Sequence, residues 1–360
     1  MNDPSPAAAP FLFVTCQAGA EPPLKQELAG RWPEFRFAYS RPGFLTFKLP
    51  LDHALAEDFD LESVFARAYG FSLGEATGDT PETRAAEVWR LAAGREFARL
   101  HVWPRDEHPA GDHGFQPGLN DASRAVDAAI RAAAPVPMDP VTSPRLGERV
   151  LDVIQIRPEQ WWVGFHAHGR GHLPWPGGLS SMELPAHAVS RAYLKACEAL
   201  EWSRLPIARG DVCAELGASP GGASQALLDR GLSVLGIDPA NIDPIVLANP
   251  KFTHLRKRSH EVRKREFRKV RWLLADMNVA PQYTLDAVEE IVKHEETNLR
   301  GLLLTLKLPE WKLAEDMPAW RERVKSWGFT KIAIRQLSNH RQELALAAWH
   351  GRAGREPRGR

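Results

Sequence analysis

The stretch "CAELGASPGGASQALLDRG", Cys213 to Gly231, sets Gly217, Gly221 and Gly222 between an apolar strand-like run and an amphipathic helix-like run. A strand, a glycine-rich turn and a helix start aim backbone N–H groups at a ligand. A nucleotide phosphate, a nicotinamide dinucleotide or S-adenosylmethionine could sit on such a loop. A triphosphate cradle needs Lys-Ser/Thr after its last glycine, and Ala223-Ser224 stands there instead. The dinucleotide pattern G-x-G-x-x-G is weakened by Ser219 at its middle position. An S-adenosyl-L-methionine loop fits better. It would be formed by Gly217, Ser219, Pro220, Gly221 and Gly222, with Asp238 at the end of "LSVLGID" accepting hydrogen bonds from the adenosine ribose. The bland alternative is a helix-start turn with no ligand.

Four charged residues fall at matching places. Lys195, in "SRAYLK", lies just before the first strand of this half. Asp276, in "ADM", ends a later strand, and Lys307, in "LKLP", ends the next. Glu343, in "SNHRQELAL", leads into the last strand. Ligand clefts of open α/β sheets form at that edge. Lys307 follows "LLLTL" at the mouth of a buried strand, where desolvation and neighbours can lower a lysine's pKa.

The elements that must position these residues follow from the hydrophobic pattern. The 360 residues suffice for two domains, and 44% hydrophobic with 25% charged residues is ordinary for a globular chain. Residues 1–10 read as a flexible tail, and residues 11–170 as an α+β region. That region opens with a strand at Phe11–Cys16, a helix at Glu21–Trp32 and two strands around an Arg-Pro-Gly turn. A helix follows at Asp121–Ala134, and a hairpin closes the region at Arg149–Gly169. Residues 171–188, dense in Gly and Pro, read as a linker. Residues 189–350 alternate strands and helices, which implies a Rossmann-like, mostly parallel sheet with helices on both faces. Residues 351–360 read as a basic tail. Cys16, Cys197 and Cys213 form no C-x-x-C pair, which fits a reducing cytoplasm. The start "MNDPSPAAAP" is no signal peptide, and no apolar run approaches a membrane span.

The ordered motifs "SRAYLK", "ELGASPGG", "GID", "ADM" and "LKLP" resemble the FtsJ-type ribose 2′-O-methyltransferases, whose hallmark is a Lys-Asp-Lys-Glu tetrad. With "ELPAHAVSRAYLK", "LTLKLPEWK" and "RQLSNHRQEL", residues 149–350 look most like the RlmM-type enzymes, which methylate a cytidine ribose in large-subunit (23S) ribosomal RNA. The resemblance implies S-adenosyl-L-methionine as cofactor and Lys307 as the base that accepts the hydroxyl proton. Lys195, Asp276 and Glu343 would tune and orient it. A lysine base must be neutral, so its pKa would need to fall from about 10.4 towards about 7–8. Lys195 favours that fall, and the two acids oppose it. Three positions depart from the family pattern. Glu215 stands where Asp is usual. Ala223 stands where an aromatic often follows the glycine pair. Arg258 lies near the position of an adenine-contacting acid.

The implied partner is large-subunit ribosomal RNA. The net charge is only +1, but His254–Trp272 carries nine Lys/Arg against Glu261 and Glu266, and the C-terminal "GRAGREPRGR" adds four Arg. These suit phosphate contact. Residues 11–170 resemble the THUMP-containing region of RlmM-type enzymes, through "FLFVTCQAGAEPPLKQEL" and "VIQIRPEQWWVGFHAHG". Trp161 and Trp162 are candidates for base stacking or for core packing. His166, His168 and His172 are read as loop or RNA-facing histidines rather than metal ligands, because no partner Cys or H-E-x-x-H motif accompanies them. Two competitors are methylation of another RNA or a small molecule, and a non-catalytic RNA-binding module.

Overall fold

The computed structural model describes residues 11–50 and 55–351. The tail expected at 1–10 and nearly all of the basic tail at 351–360 lie outside the described residues. The chain divides into two units, Met1–Ser181 and Met182–Arg360. Among the described residues, no helix is long and apolar enough to cross a membrane.

The first unit contains, in order, β1 (Phe11–Thr15), α1 (Glu21–Arg31), β2 (Arg36–Arg41), β3 (Phe44–Lys48) and β4 (Ala68–Ala76). It continues with α2 (Pro81–Ala92), β5 (Arg99–Pro104), α3 (Asp121–Ala132), β6 (Arg149–Arg157) and β7 (Gln160–Ala167). The strands form one sheet in the order β2-β3-β1-β4-β7-β6-β5. The β5–β6 pair is parallel and the other neighbours are antiparallel. Helix α2 starts on a capping box at Thr80 and α3 on one at Asn120, so orphan N–H groups at each start are satisfied. Both helices bury an apolar stripe, including Val88 and Ile130, against Leu100, Leu151 and Val163. Arg67 and Asp106 meet at 2.7 Å, both nearly fully buried. Removing either partner of such a pair costs about 3–5 kcal/mol.

Three features of this unit differ from the sequence expectation. Strand β4 and helix α2 were not anticipated. In "AYGFSLGEA" Gly70 and Gly74 break the alternation that marks a strand, because a Cβ at Gly70 would lie 2.4 Å from the Phe165 carbonyl oxygen. The stretch expected as a linker is packed over residues 172–179. His172, Leu173, Trp175 and Leu179 are buried, and a Cβ at Gly177 would strike the Trp103 ring at 2.4 Å. The Gly and Pro residues there serve close packing. Trp161 is buried in the core, and Trp162 is half-buried with its ring 5.3 Å from that of Phe44, so the pair is used in packing.

The histidines are also buried rather than RNA-facing. His166, His168 and His172 are each under 7% exposed, and the rings of His166 and His172 stack at 4.3 Å. His101 on β5 pairs in register with Asp152 on β6. Asp152 faces Gly164 on β7, so His166, two residues on, shares its face of the sheet. His166 Nδ1 lies 2.6 Å from Asp152 Oδ2, and His101 Nε2 donates to the Thr142 carbonyl at 2.7 Å. The ligand-type atoms of His101, Asp152 and His166 fall within 4.8 Å of one another. The Asp152–His166 contact has hydrogen-bond length, so the cluster is a polar network as it stands.

Burial, helped by His166, pushes the pKa of His101 down to about 3. An unfolded histidine protonates near pH 6.5. As pH falls through 6.5, the unfolded chain gains a proton that the folded chain refuses, and stability is lost progressively down to about pH 3. From pH 6.5 to 5.5 this residue should cost about 1 kcal/mol. The expected outcome is that His101→Gln loses less stability over that interval than the parent, measured as urea unfolding at both pH values. Equal slopes would refute the assignment.

The second unit contains α4 (Ala192–Ser203), β8 (Val212–Leu216), α5 (Gly222–Asp229), β9 (Ser233–Ile237), α6 (Pro244–Leu247) and β10 (Phe252–Leu255). It continues with β11 (Trp272–Ala275), α7 (Pro281–Val292), β12 (Gly301–Lys307), α8 (Met317–Ser326), β13 (Lys331–Arg335) and β14 (Glu343–Trp349). Its sheet runs β10-β9-β8-β11-β12-β14-β13. The first five strands are parallel, and β14 is antiparallel to β12 and β13. Near-continuous apolar runs such as "WLLA" suit strands covered on both faces. Strand order reverses at β8, with β9 on one side and β11 on the other. That is the topological switch point, and the ligand cleft of such sheets opens beyond its carboxyl end. Helix α6 and strand β10 are short and were not anticipated.

Candidate active site

A cavity of about 580 Å³ lies at that switch point, a size suited to a small organic ligand. Gly217, Ser219, Asp238, Arg258 and Asp276 line it. Gly217 turns the chain at φ +80°, and a Cβ there would meet the Asp276 carbonyl oxygen at 2.7 Å. Asp238 is fixed by two backbone donors, Ser219 N–H at 3.1 Å and Ala240 N–H at 2.8 Å. Pro220, Gly221 and Gly222, expected beside the cofactor, are not among the residues lining the cavity. Gly221 abuts Val246 and Gly222 abuts Ser190, so these glycines allow close packing at the start of α5.

Two departures from the family pattern gain a physical account. Ala223 is buried against Ala196 and Cys197 of α4, so its small side chain lets α4 and α5 approach. It is not a missing wall of the cavity. The longer Glu215 reaches the hydroxyl of Ser224, which donates to it. Burial pushes Glu215 up to about 8, so it is mostly neutral at pH 7. Arg258, which the resemblance sets near the position of an adenine-contacting acid, is exposed at the cavity rim.

Beside the cavity the structure brings Lys195, Asp276, Lys307 and Glu343 together. Lys307 and Glu343 are register partners on the antiparallel strands β12 and β14. Asp276 directly follows β11, and its N–H donates to the Leu216 carbonyl at 3.0 Å. Lys195 projects from the first turns of α4. Glu343 is ion-paired with both lysines, one at each carboxylate oxygen, and its Oε2 accepts a hydrogen bond from Lys307. Asp276 lies 3.2 Å from Lys307 Nζ and 3.8 Å from Lys195 Nζ. Glu343 is only 3% exposed, while the other three side chains remain about one-fifth exposed to the cleft. Burial pushes the Glu343 carboxyl up, but His340, Lys195 and Lys307 outweigh it and hold it at about 2. For Lys307, burial pulls the pKa down, yet Asp276 and Glu343 prevail and raise it above its ordinary value. The competition left open by the sequence is thus won by the acids.

Sequence reasoning missed His340 and Glu198. His340 is fully buried close to Glu343, and burial lowers its pKa. Glu198 lies one turn along α4 from Lys195 and is 0% exposed. Its signal was an acid inside "KACEALEW", three residues after a lysine already singled out.

Residues 188–324 match the family described as FtsJ-like methyltransferase. The match falls within the second unit, which has a Rossmann-like methyltransferase fold. Along nearly its whole length the chain is similar to curated proteins named ribosomal RNA large subunit methyltransferase M. The protein of that name from Halorhodospira halophila is 29% identical over 346 residues, covering 93% of this chain and 96% of its own. That from Xanthomonas oryzae pv. oryzae is 26% identical over 355 residues, covering 94% and 99%. That from Methylococcus capsulatus is 31% identical over 180 residues, covering 48% and 50%.

The Gly217 turn is expected to be intolerant. Gly217→Ala adds left-handed strain and a clash with backbone that cannot swing aside, together about 2–4 kcal/mol. Denaturant unfolding should show that loss, and a stability within 0.5 kcal/mol of the parent would contradict the close approach.

Proposed function

We propose that this chain transfers a methyl group from S-adenosyl-L-methionine to a ribose 2′-hydroxyl of large-subunit ribosomal RNA. One observation carries it. Asp276 lines the cavity and also contacts both lysines, so a ligand in the cavity and the charged cluster share one edge. The names of the relatives that align over most of the chain support ribosomal RNA as substrate. The test is mass-spectrometric mapping of 2′-O-methyl sites in ribosomal RNA from cells with and without the gene. An unchanged map would sink the proposal.

Gly217, Ser219 and Asp238 would hold the cofactor. The Gly217 turn lies too close to the Asp276 backbone for a Cβ, and Asp238 would offer its remaining lone pairs to a ribose diol. Bound there, the cofactor supplies an electrophilic methyl carbon. For transfer of that methyl group to a ribose hydroxyl, Lys307 Nζ would accept the hydroxyl proton. In the resting site Asp276 and Glu343 favour the ammonium form of Lys307, which is not a base. Closure of RNA over the cleft adds burial, which favours the neutral amine. Holding the hydroxyl in line contributes alongside proton removal. The single-turnover rate should therefore rise with pH between 7 and 9. Lys307→Ala should lower that rate at least about 100-fold while calorimetry finds cofactor affinity within about threefold. Wild-type turnover in the variant would remove Lys307 from its role.

The first unit, with its sequence likeness to THUMP-containing regions, is read as engaging RNA by shape and backbone. The basic stretch His254–Trp272 contributes phosphate contacts. It folds as short 3₁₀ turns and loop between β10 and β11, not as one charged helix. Part of its charge is spent internally, since Arg263 pairs with Glu266, Lys264 with Glu290 and Arg268 with Glu296. Lys257 and Lys269 are exposed and form no ion pair among the described residues. Replacing both by Glu should weaken RNA binding and flatten the slope of log affinity against log salt by about one to two. An unchanged slope would place the RNA elsewhere.

A further inference from the structure

Three members of the tetrad are held by neighbouring strands of one sheet, and the fourth comes from a helix. Lys307 and Glu343 are fixed by the β12–β14 register, but Lys195 arrives from α4. Something must fix the helix against the segment that precedes β14. Glu198 does so. Its carboxylate is 0% exposed and accepts four hydrogen bonds from Ser338 and Asn339. Oε1 accepts from Ser338 N–H at 2.8 Å and from Ser338 Oγ at 2.6 Å. Oε2 accepts from Asn339 N–H at 2.8 Å and from Asn339 Nδ2 at 2.9 Å. Two successive backbone N–H groups and two side chains thus converge on one carboxylate, a nest for a buried anion. The segment leads directly to His340 and Glu343. Glu198 is one helical turn from Lys195, so the two project from neighbouring positions of α4.

We infer that Glu198 is a positioning residue for methyl transfer: by seating the Ser338–Asn339 turn on α4 it fixes the Lys195–Glu343 contact, and through it the setting of Lys307. The four bonds act where α4 meets the segment leading into β14. The far end of the segment is fixed separately, by the Leu308 N–H donating to the Gln342 carbonyl at 2.9 Å. Loss of the nest would therefore loosen the near end without unpairing β12 from β14. This inference rests on the proposed methyl transfer.

Glu198→Gln is the direct test. It preserves size and the bonds from Ser338, but turns an amide N–H₂ towards the two Asn339 donors. At saturating cofactor and RNA the single-turnover rate should fall at least about tenfold, while KM for RNA, cofactor affinity and cofactor stoichiometry stay within about twofold. A role confined to stability would lower stoichiometry and melting temperature and leave the rate per folded molecule unchanged. That result overturns the inference, as does a rate within twofold of the parent. Should Glu198→Gln fail to fold, Ser338→Ala with Asn339→Ala reads the same joint from the loop side. A single-turnover rate unchanged there also overturns it. If the parent chain itself transfers no methyl group to ribose, the functional proposal has failed, an outcome distinct from an active parent with an equally active variant.

Discussion

Glu343 is a carboxylate almost sealed from water, and two lysines must stand against it for that to be tolerable. An uncompensated buried charge is among the costliest defects a fold can carry. Here one oxygen is met by Lys195 and the other by Lys307. Much of the second unit's architecture serves to bring those cations in. The β12–β14 pairing must hold its register, since a slip of one residue would turn Glu343 to the opposite face of the sheet. The α4 helix must sit close enough for Lys195 to reach, and Ala223 makes room for that approach. The charge arrangement is balanced within the site, with two cations and two anions. The resting fold does not release Lys307 to neutrality, since Asp276 and Glu343 raise its pKa.

The glycine-rich turn divides its labour. Gly217 and Ser219 face the cavity, whereas Gly221 and Gly222 let α5 start hard against its neighbours. A glycine cluster in sequence cannot distinguish these uses, because both ask for the absence of a Cβ. Glu215 shows a related compromise. The extra methylene relative to aspartate takes the carboxyl down to Ser224 and out of water, where it keeps its proton.

Legibility differed between the two units for physical reasons. The parallel strands of the second unit are buried on both faces, so they stand out as apolar runs ended by Gly, Asp or Lys, and their order along the chain marks the sheet edge. Lys195, Asp276, Lys307 and Glu343 could be picked out from those endings. Their separations, and the winner of the contest over Lys307, depend on distances no sequence states. Strand β4 hid behind Gly70 and Gly74, although it is central in its sheet. Helix α2 carries a signal of its own, Thr80-Pro81 ahead of an Ala-rich amphipathic run. The histidines misled because exposure was inferred from polarity. All three, together with His101, are instead packed with Asp152 and Tyr69 against one sheet. Glu198 gave only the weak signal of an acid one turn from Lys195, since an acid inside a helix is usually solvated and its partners lie 140 residues away.

The segment from His172 to Leu179 also bears on how the chain can be dissected. Composition alone would recommend cutting at the glycines and prolines after residue 170. Such a cut would strip Trp175 and Leu179 from the core they complete, and leave the Trp103 ring facing solvent where Gly177 now covers it. The liberated fragment would carry a raw apolar wound of its own making, and any stickiness it then displayed towards nucleic acid, membranes or itself would be an artefact of the scissors. A division placed beyond Ser181 leaves that surface closed.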